Sequence, residues 1–441
     1  MKFGGTSIGD ESAITRTCQH IAAEEGPKLV VVSAMGGVTD LLLSASFSAV
    51  NRRDYVTTLN RVEARHRAVY EAFSISAVEI LELEEELAEM LQGIAMLREL
   101  SDRVKDRLLS MGERISARLV AGALTARGHP AQAIDAWDLG LFTDEHYGHA
   151  EPLASVDQSI GAAAAALPED IIPVVTGFLG RTLAGSITTL GRGGSDFSAA
   201  LFGAALGVEE IQIWTDVPGF LDADPSIVPL ARLIPTLHFD EAVELAYFGA
   251  KVLHPRTIEP ARKAGIPVRI LGSFDLEPGS GKGGPGRGTL INDSAAEATI
   301  RALALRRNVH TLHVHSSRML DRLLGIFARH NLSVDVVATS EVSVSMTFDC
   351  SSSMLEKAVA ETSLFARVEV SPNRSIICIV GEGLRTDPSL LARIFATCAA
   401  NHVPVHVISQ GASRLNLTMV TDAVAAEVAM AALHKDLLPG R

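Results

Sequence analysis

Cysteines, signal segments and long apolar runs are scarce or missing in this sequence, and each absence excludes a class of protein. The 441 residues include only 4 cysteines, Cys18, Cys350, Cys378 and Cys398, so we expect no disulfide framework but reduced thiols in a cytoplasmic protein. The sequence contains no CxxC motif, no HExxH motif and no Cys/His cluster, so it gives no indication of a metal site. The sequence contains no run of about 18 apolar residues, so no membrane span is predicted. The N-terminus does not resemble a signal peptide.

Positive charge and aromatic side chains are also scarce. Lys plus Arg number 39 against 52 for Asp plus Glu, which gives a net charge of −13, and aromatics make up 5% of the chain. A general nucleic-acid coat needs a basic surface and stacking platforms, so that class is excluded. The apolar fraction of 47% is normal for a packed globular protein, and the length predicts about three domains.

The motifs of the two large classes of phosphoryl-transfer enzyme are missing as well. The sequence contains no Walker A pattern and neither the HRD nor the DFG motif of protein kinases. Membership of either class is therefore not expected.

Short apolar runs that end in loops of small or polar residues recur along the first 275 residues. They lie at 28–33, 171–176, 210–214 and 267–271, and helical patterns such as 197–206 separate them. Alternating strands and helices predict a mostly parallel sheet covered on both faces. Ligands of such sheets bind at the carboxyl ends of the strands, where the Gly, Ser, Thr and Asp residues collect.

Residues 80–115 carry apolar side chains at alternating spacings of three and four, as in a heptad seam. One interpretation is a coiled-coil site for a partner. The favoured interpretation is two helices packed on the body, with Gly93 near their junction, because coiled coils seldom end after so few heptads. A second ambiguous segment, 277–288, contains the GxGxxG pattern from Gly281 to Gly286. No strand runs into it and Pro285 interrupts it, so it is interpreted as a plain loop, with a basic loop near a nucleotide as the alternative.

The C-terminal part contains an internal repeat. Residues 326–337 resemble residues 394–408, with an offset of 70 residues between Asn331 and Asn401. Each copy reads as a helix end, a turn and an alternating strand, followed by a second strand. The repeat predicts two copies of one small α+β module.

The strongest chemical signal is the pair of segments TGFLG (176–180) and TTLGRGGSD (188–196), which lead into a helix. Glycines permit close backbone approach, and a helix start offers N–H groups and a positive dipole end to an anion. Arg192 can bind a carboxylate through two hydrogen bonds, and Asp196 can orient an ammonium or accept a proton. The alternative is a tight turn in which Ser195 or Asp196 caps the helix.

Three further segments contain candidate functional residues. KFGGTS (2–7) combines a lysine, two glycines and two hydroxyls, as in a phosphate cradle. WTDVPG (214–219) ends a strand with an acid that could face a ribose or base, and GAKVLHP (249–255) carries Lys251 at a helix end, where a lysine is usually a dipole partner.

Taken together, KFGGTS, TTLGRGGSD, WTDVPG and GAKVLHPRTI (249–258) resemble the aspartate kinase family, in the family's order and over nearly the whole chain. The C-terminal repeat resembles the family's paired ACT domains. The resemblance implies an α/β amino acid kinase fold, a carbamate kinase-like three-layer αβα sandwich, followed by two ferredoxin-like α+β ACT domains. It implies a catalytic domain over 1–293 with a helical insertion at 75–115, and ACT domains over 299–371 and 372–441 that can interleave.

The implied activity is transfer of the ATP γ-phosphate to the side-chain carboxylate of L-aspartate. The product, 4-phospho-L-aspartate, leads towards lysine, threonine, methionine and diaminopimelate. Mg²⁺ is expected on the phosphates, mostly water-ligated. A homodimer or larger homo-oligomer is expected, because ACT modules pair across subunits, and lysine or threonine is the expected effector.

The resemblance also implies roles for individual residues. Lys2 and Asp196 would be catalytic, with Asp196 organising the lysine. The residues implied for aspartate binding are Thr39, Glu113, Phe178, Arg192 and Ser195, with Arg192 on a carboxylate and Glu113 near the ammonium. Those implied for ATP are Gly4, Gly5, Ser7, Thr215, Asp216 and Lys251. Those implied for the effector site are His313, Ser316, Arg318, Met319, Leu320, Val334, Asp335, Ser340 and Glu341.

Three departures from the family pattern bear on these expectations. Relatives have a few strand residues before the KFGG lysine, so the first strand here is either very short or lost through a misplaced start. Leu221 and Ser226 replace an aromatic and a basic residue in the nucleotide loop, which weakens the expectation for ATP affinity. His313 replaces a methionine and Arg318 enters the effector turn, so we expect weak or absent feedback by lysine. Two alternatives to an active aspartate kinase stay open: an amino acid kinase with another substrate, and a non-enzymatic amino acid sensor.

Overall fold

The computed structural model describes residues 1–248, 253, 255–274, 288–294, 299–315, 320–411 and 413–438. It divides into two compact units, Met1–Phe220 with Val252–Asp293 and Leu221–Lys251 with Ser294–Arg441. None of the helices in these ranges is long and apolar enough to cross a membrane. The GxGxxG pattern from Gly281 to Gly286 lies outside the described residues.

The elements of the first 220 residues alternate between strands and helices. In chain order they are β1 (Lys2–Phe3), a 3-10 helix (Gly5–Ile8), α1 (Glu11–Ala23), β2 (Val30–Val32), α2 (Val38–Val50), α3 (Val56–Ala72), α4 (Val78–Leu97), α5 (Asp102–Ala126), β3 (Ala131–Ile134), β4 (Phe142–Thr143), α6 (Val156–Ala164), β5 (Ile172–Thr176), β6 (Leu179–Thr182), β7 (Ile187–Thr189), α7 (Gly194–Leu206) and β8 (Ile211–Thr215).

The chain then enters the second unit, returns to the first and ends in the second. The second unit receives β9 (Thr236–His238) and α8 (Phe239–Phe248), and the first is completed by α9 (Pro255–Lys263), β10 (Val268–Gly272) and β11 (Thr289–Asn292). The remaining elements are β12 (Ala302–His315), α10 (Leu320–Arg329), β13 (Val337–Thr339), β14 (Val344–Phe348), α11 (Ser352–Thr362), β15 (Arg367–Val380), α12 (Gly383–Thr386), α13 (Ser389–Ala400), β16 (Val407–Ser409), β17 (Asn416–Asp422) and α14 (Ala423–Leu437).

The predicted parallel sheet is confirmed. Within the first unit its strands run in the order β3-β5-β2-β1-β8-β10-β11, and only the β10–β11 pairing is antiparallel. The four predicted strands are β2, β5, β8 and β10. Because β1 lies between β2 and β8, the loop after Lys2 and Phe3 emerges in the middle of the sheet's carboxyl edge, where ligands bind.

Both faces of this sheet are covered. Val30 and Val32 point into a core cluster that also contains residues from α1 to α5. Val31 points to the opposite face, because side chains alternate along a strand, and it is only 1% exposed. Helix α7 packs against β1, β2 and β8. The predicted three-layer αβα arrangement is therefore confirmed.

The heptad-like segment forms α4 and α5, which pack on the body as the favoured interpretation predicts. Ile80, Leu83 and Leu87 are buried in the same cluster as the central strands, so the coiled-coil interpretation is wrong. Gly93 lies inside α4, and the junction itself follows Leu97, where Arg98 adopts the left-handed conformation with φ 57°.

The second unit contains a six-stranded antiparallel sheet in the order β13-β14-β12-β15-β17-β16. The two copies of the repeat share the long strands β12 and β15: β14 pairs with the second half of β12, and β17 pairs with the second half of β15. The predicted α+β ACT architecture is confirmed. The boundaries at residues 293, 299 and 371 stay a prediction.

The repeat keeps its predicted offset in the strands but not in the turn. Val337 and Val407 each begin the first strand of a copy, 70 residues apart. The left-handed residue after the helix is Asn331 in the first copy and His402 in the second, not Asn401. The second copy is one residue shorter between this turn and its strand, which similarity at the two asparagines did not reveal.

Candidate active site

A cleft of about 580 Å³ lies in the first unit, beside the loops that follow β1, β2 and β5. Eight of the predicted site residues line it. They are Lys2, Gly5, Thr39, Glu113, Phe178, Arg192, Ser195 and Asp196. These residues therefore lie together at the carboxyl edge of the sheet, and their roles in ligand binding stay a prediction.

Lys2 and Asp196 meet inside the cleft. The Lys2 Nζ atom lies 2.6 Å from Asp196 Oδ1, and the two side chains are 10% and 15% exposed. The pair can form because β1 ends and α7 begins at this edge of the sheet. An ammonium held in this way is kept at a fixed place instead of sampling solvent.

Two helices begin at the cleft, and each begins with a glycine in the left-handed conformation. Gly37 (φ 78°) precedes α2, and Gly193 (φ 72°) precedes α7. The first N–H groups of a helix lack intrahelical partners and carry partial positive charge, so both starts suit an anion. Neither helix has a side-chain cap. The alternative in which Ser195 or Asp196 caps the helix is therefore wrong, because α7 begins at Gly194 and both residues lie in its first turn.

Close backbone packing brings the loops after β1 and β2 together. A Cβ atom on Gly5 would lie 2.8 Å from the carbonyl oxygen of Ala34, and the Gly36 N–H donates to the Gly5 carbonyl at 2.8 Å. A Cβ atom on Gly112 would lie 2.7 Å from Ala34 Cβ, so α5 approaches the same loop equally closely. Larger residues at Gly5 or Gly112 would push these elements apart.

Glu113 projects from α5 to the buried end of the cleft. It is 3% exposed, and its Oε1 atom accepts a hydrogen bond from the Ala34 N–H at 3.1 Å. The buried Oε2 atom has no hydrogen-bond partner in the described part of the chain. Burial raises the pKa of Glu113 to about 8, and the Ala34 hydrogen bond only partly opposes this. The site thus holds a buried acid ready to receive a cationic group.

Phe178 adopts a backbone conformation that is rare for a bulky residue. Its φ angle is 67°, and its N–H donates to Ser198 Oγ at 3.0 Å while its carbonyl accepts from the Leu190 N–H at 2.9 Å. A Cβ atom on Gly194 would lie 2.7 Å from the Phe178 ring, so ring and helix start are in direct contact. Strain of this kind collects at functional sites.

Arg192 is exposed at the rim of the cleft. No ion pair or hydrogen bond of its side chain occurs among the residues that the structure describes, so its guanidinium is available to a carboxylate. Lys105, a half-buried residue of α5, also lines the cleft.

Sequence reasoning missed Lys105, Asp106 and His149, which all line the cleft. A signal existed for the first of these: Lys105, Leu109 and Glu113 lie four residues apart and share one face of α5. His149 belongs to a loop without regular spacing, and no sequence pattern indicated it.

Several predicted nucleotide residues lie beside the cleft rather than in its lining. The Gly4 N–H donates to the Trp214 carbonyl at 3.2 Å, and Ser7 Oγ lies 2.6 Å from Ser273 Oγ in a buried contact. Thr215 ends β8, and its Oγ1 atom donates to Oδ1 of the following Asp216 at 3.1 Å. Lys251 lies outside the described residues.

The predicted effector residues belong to the second unit. His313 Nδ1 lies 2.8 Å from Ser345 Oγ, and burial lowers the pKa of His313. Asp335 pairs with Arg306 at 2.6 Å, and burial raises the pKa of Asp335 to about 6 although Arg306 opposes this. Ser340 Oγ lies 3.0 Å from Ser343 Oγ.

The other predicted effector residues are described only in part. Val334 is half-buried, Glu341 is exposed and Leu320 begins α10. Ser316, Arg318 and Met319 lie outside the described residues.

Comparison with known proteins agrees with this architecture. Residues 1–272 match the model of the amino acid kinase family, and residues 377–437 match an ACT domain model. The chain is 37% identical to chloroplastic aspartokinase 3 of Arabidopsis thaliana, over 98% of this chain and 80% of that protein. It is 34% identical to lysine-sensitive aspartokinase 3 of Escherichia coli, over 99% and 98% of the two chains.

A solved structure is similar over the same length. E. coli aspartokinase III in the R-state superposes with a TM-score of 0.83 at 33% identity, over 99% of both chains. The family model covers more than half of the chain and coincides with the α/β sandwich that contains the cleft, so the chain belongs to the amino acid kinase family. Within the family it is an aspartokinase, an enzyme that phosphorylates aspartate.

Proposed function

We propose that this chain is an ATP:L-aspartate 4-phosphotransferase that produces 4-phospho-L-aspartate. One observation carries the proposal: a buried carboxyl, Glu113, and a guanidinium without a partner among the described residues, Arg192, line the same cleft as the Lys2–Asp196 pair. An α-amino acid with an acidic side chain carries one ammonium and two carboxylates. In the cleft, Glu113 can receive the ammonium, and Arg192 and the helix N–H groups can receive the carboxylates.

In this proposal Glu113 receives the ammonium of aspartate and Arg192 binds a carboxylate. Thr39 and Ser195 lie in the first turns of α2 and α7, where N–H groups and hydroxyls can hold the other carboxylate. Phe178 forms an apolar wall. Recognition at both ends of the substrate fixes the reacting oxygen, which is the main requirement of a phosphoryl transfer.

Lys2 stabilises the charge that moves between the two anions during transfer, and Asp196 keeps its ammonium in place. A positive charge already held at the reacting position costs no reorganisation during the reaction. Gly4, Gly5 and Ser7 form the phosphate side of the site, and Thr215, Asp216 and Lys251 surround the rest of ATP.

Mg²⁺ would be held mainly by phosphate oxygens and water, and it would neutralise phosphate charge. No group of three or more His, Cys, Asp or Glu side chains in the described ranges is arranged to hold a metal ion. The proposal assigns most Mg²⁺ ligands to the nucleotide and to water.

Solved relatives support aspartate and ATP as the ligands of this proposal. The similar E. coli structures are complexes with aspartate and ADP in the R-state and with lysine and aspartate in the T-state. We further propose a cytoplasmic homodimer or larger assembly, with an amino acid effector, lysine or threonine, at the ACT domains.

A hydroxamate assay tests the proposed reaction. Purified protein is incubated with ATP, Mg²⁺ and hydroxylamine, and the acyl phosphate is trapped as a coloured hydroxamate. We expect product with L-aspartate and far less with L-glutamate or with the D-enantiomer. Product with another acidic amino acid alone would indicate a different amino acid kinase, and none at all would favour an amino acid sensor.

A further inference from the structure

Two loops border the cleft on the side of Arg192. One is loop 144–151, whose two ends are joined by a hydrogen bond from the Asp144 N–H to the Glu151 carbonyl at 3.0 Å. The other is 189–193, which carries Arg192 between Gly191 (φ 77°) and Gly193 (φ 72°). Glycines restrict the backbone little, so the position of Arg192 depends on how this second loop is attached.

Asp106 attaches both loops from α5. Its Oδ2 atom accepts hydrogen bonds from the N–H groups of Gly148 and Thr189, each at 2.8 Å, and its Oδ1 atom accepts from Thr189 Oγ1 at 2.9 Å. Asp106 is fully buried. Three hydrogen bonds to one buried carboxylate are stronger than bonds between neutral groups.

Arg256 attaches the same two loops from α9. Its Nη1 atom donates to the Leu190 carbonyl at 3.1 Å, and its Nη2 atom contacts both carboxylate oxygens of Glu151 at 2.8 and 2.9 Å. Its guanidinium also lies over the Phe197 ring of α7, 4.6 Å from the ring centre. Arg256 thereby ties the start of α7 to both loops.

The loops also contact each other directly. The Ala150 N–H donates to the Thr189 carbonyl at 2.9 Å, and a Cβ atom on Gly191 would lie 2.7 Å from His149 Nδ1. Loop 144–151 thus supports the backbone on which Arg192 stands.

We propose that Asp106 and Arg256 are positioning residues for aspartate binding, which hold loops 144–151 and 189–193 together and thereby place Arg192. The inference rests on the proposed function, in which Arg192 binds a carboxylate of aspartate. Loosening either attachment leaves Lys2 and the nucleotide side in place but spreads Arg192 over many positions. The affinity for aspartate therefore decreases, whereas the affinity for ATP does not.

Kinetics of Asp106→Ala and Arg256→Ala test this. We expect the KM for aspartate to rise about tenfold or more in each, with the KM for ATP within a factor of about two of wild type. Asp102→Ala on α5 and Lys263→Ala on α9 are matched controls, because both side chains are exposed and contact neither loop. An unchanged aspartate KM in both test variants would overturn the proposal.

Asp106→Asn separates positioning from charge. The asparagine oxygen can accept both N–H bonds, and its amide can donate to Thr189 Oγ1, so the attachments survive without the negative charge. We expect its aspartate KM to stay close to wild type. A rise equal to that of Asp106→Ala would assign Asp106 an electrostatic role instead of a positioning one.

Hydrogen exchange of the substrate-free protein provides a readout that does not depend on activity. Peptides covering 144–151 and 189–193 should exchange faster in Asp106→Ala and Arg256→Ala, whereas peptides from β1 and β2 should not change. Unchanged exchange in both loops would overturn the proposal. A wild-type protein that fails to phosphorylate aspartate would refute the proposed function alone, and the exchange result would still decide whether the loops are attached in this way. Arg256 is partly exposed, so the kinetics and hydrogen exchange of Arg256→Ala still test the proposal if Asp106→Ala does not fold.

Discussion

The Nζ atom of Lys2 lies 2.6 Å from the Oδ1 atom of Asp196, with both side chains largely removed from water. Lys2 begins β1, and Asp196 lies in the first turn of α7. The sheet order places β1 in the centre, so the fold positions the Lys2 ammonium in the cleft. The pair joins the two segments that carry most of the proposed chemistry.

Removing the ammonium should slow the reaction strongly. Lys2→Ala is expected to lower kcat by about 10²–10³, because a positioned cation at developing charge contributes on that scale. A coupled assay of ADP release measures this, with the exposed Lys357→Ala as a control. Unchanged turnover would remove Lys2 from the mechanism.

The partner of Lys2 should act through it. Asp196→Asn keeps a similar shape but loses the charge that holds the ammonium, and we expect kcat to fall by about tenfold or more. In the double variant with Lys2→Ala the two losses should not add, because one interaction is removed twice. Fully additive losses in kcat would show that the two residues act independently.

The raised pKa of Glu113 makes aspartate binding depend on pH. In the free protein this carboxyl is mostly protonated below pH 8, whereas a bound ammonium requires the carboxylate. The KM for aspartate should therefore fall as pH rises from 6 to 8, by up to about tenfold per pH unit. Glu113→Gln should raise the KM and remove this dependence, and the exposed Glu85→Gln should keep it. A wild-type KM that is flat with pH would contradict the prediction.

The same group affects stability with a definite sign. The pKa of Glu113 is raised from 4.5 to about 8, so the folded state binds a proton more tightly than the unfolded state. Its contribution is complete below pH 4.5 and is lost as pH rises through about 8. Glu113→Gln should consequently unfold at a higher urea concentration than wild type at pH 9, a difference that shrinks towards pH 5.

Much of the cleft could be predicted from the sequence because its residues lie in contiguous glycine-rich segments. Lys2, Arg192 and Asp196 each stand in such a segment, and the neighbouring central strand β2 is a continuous apolar run. Asp106 and Arg256 could not be predicted in this way. Each is an ordinary charged residue on a helix, and its role arises from two loops that approach it only in the folded chain.

The same limit explains the errors at element boundaries. Helix α7 begins at Gly194, three residues before the predicted start, because left-handed glycines replace a side-chain cap. The turn of the second repeat copy shifted by one residue because His402, not Asn401, takes the left-handed conformation. Side-chain identity alone does not determine which residue adopts it.

Feedback by lysine should be weak or absent. Arg318 stands at the predicted effector turn, where a bulky cation would oppose binding of a cationic amino acid, and His313 replaces a methionine and contacts Ser345. The coupled ADP assay with increasing lysine measures this, with lysine-sensitive aspartokinase 3 of E. coli as a positive control. Inhibition by sub-millimolar lysine would contradict the prediction, and a parallel titration with threonine tests the other effector.

The left-handed backbone of Phe178 allows strain to be separated from side-chain contact. Phe178→Ala and Phe178→Gly both remove the ring from the wall of the cleft, so both should raise the KM for aspartate to a similar extent. They differ only in a Cβ atom, which is unfavourable at a φ of 67°. Phe178→Gly should therefore be more stable than Phe178→Ala by about 1 kcal/mol, although glycine gains more freedom on unfolding. Urea unfolding of the two variants measures the difference. Equal stability, or a more stable alanine variant, would show that the backbone at this position relaxes out of the left-handed region once the ring is gone.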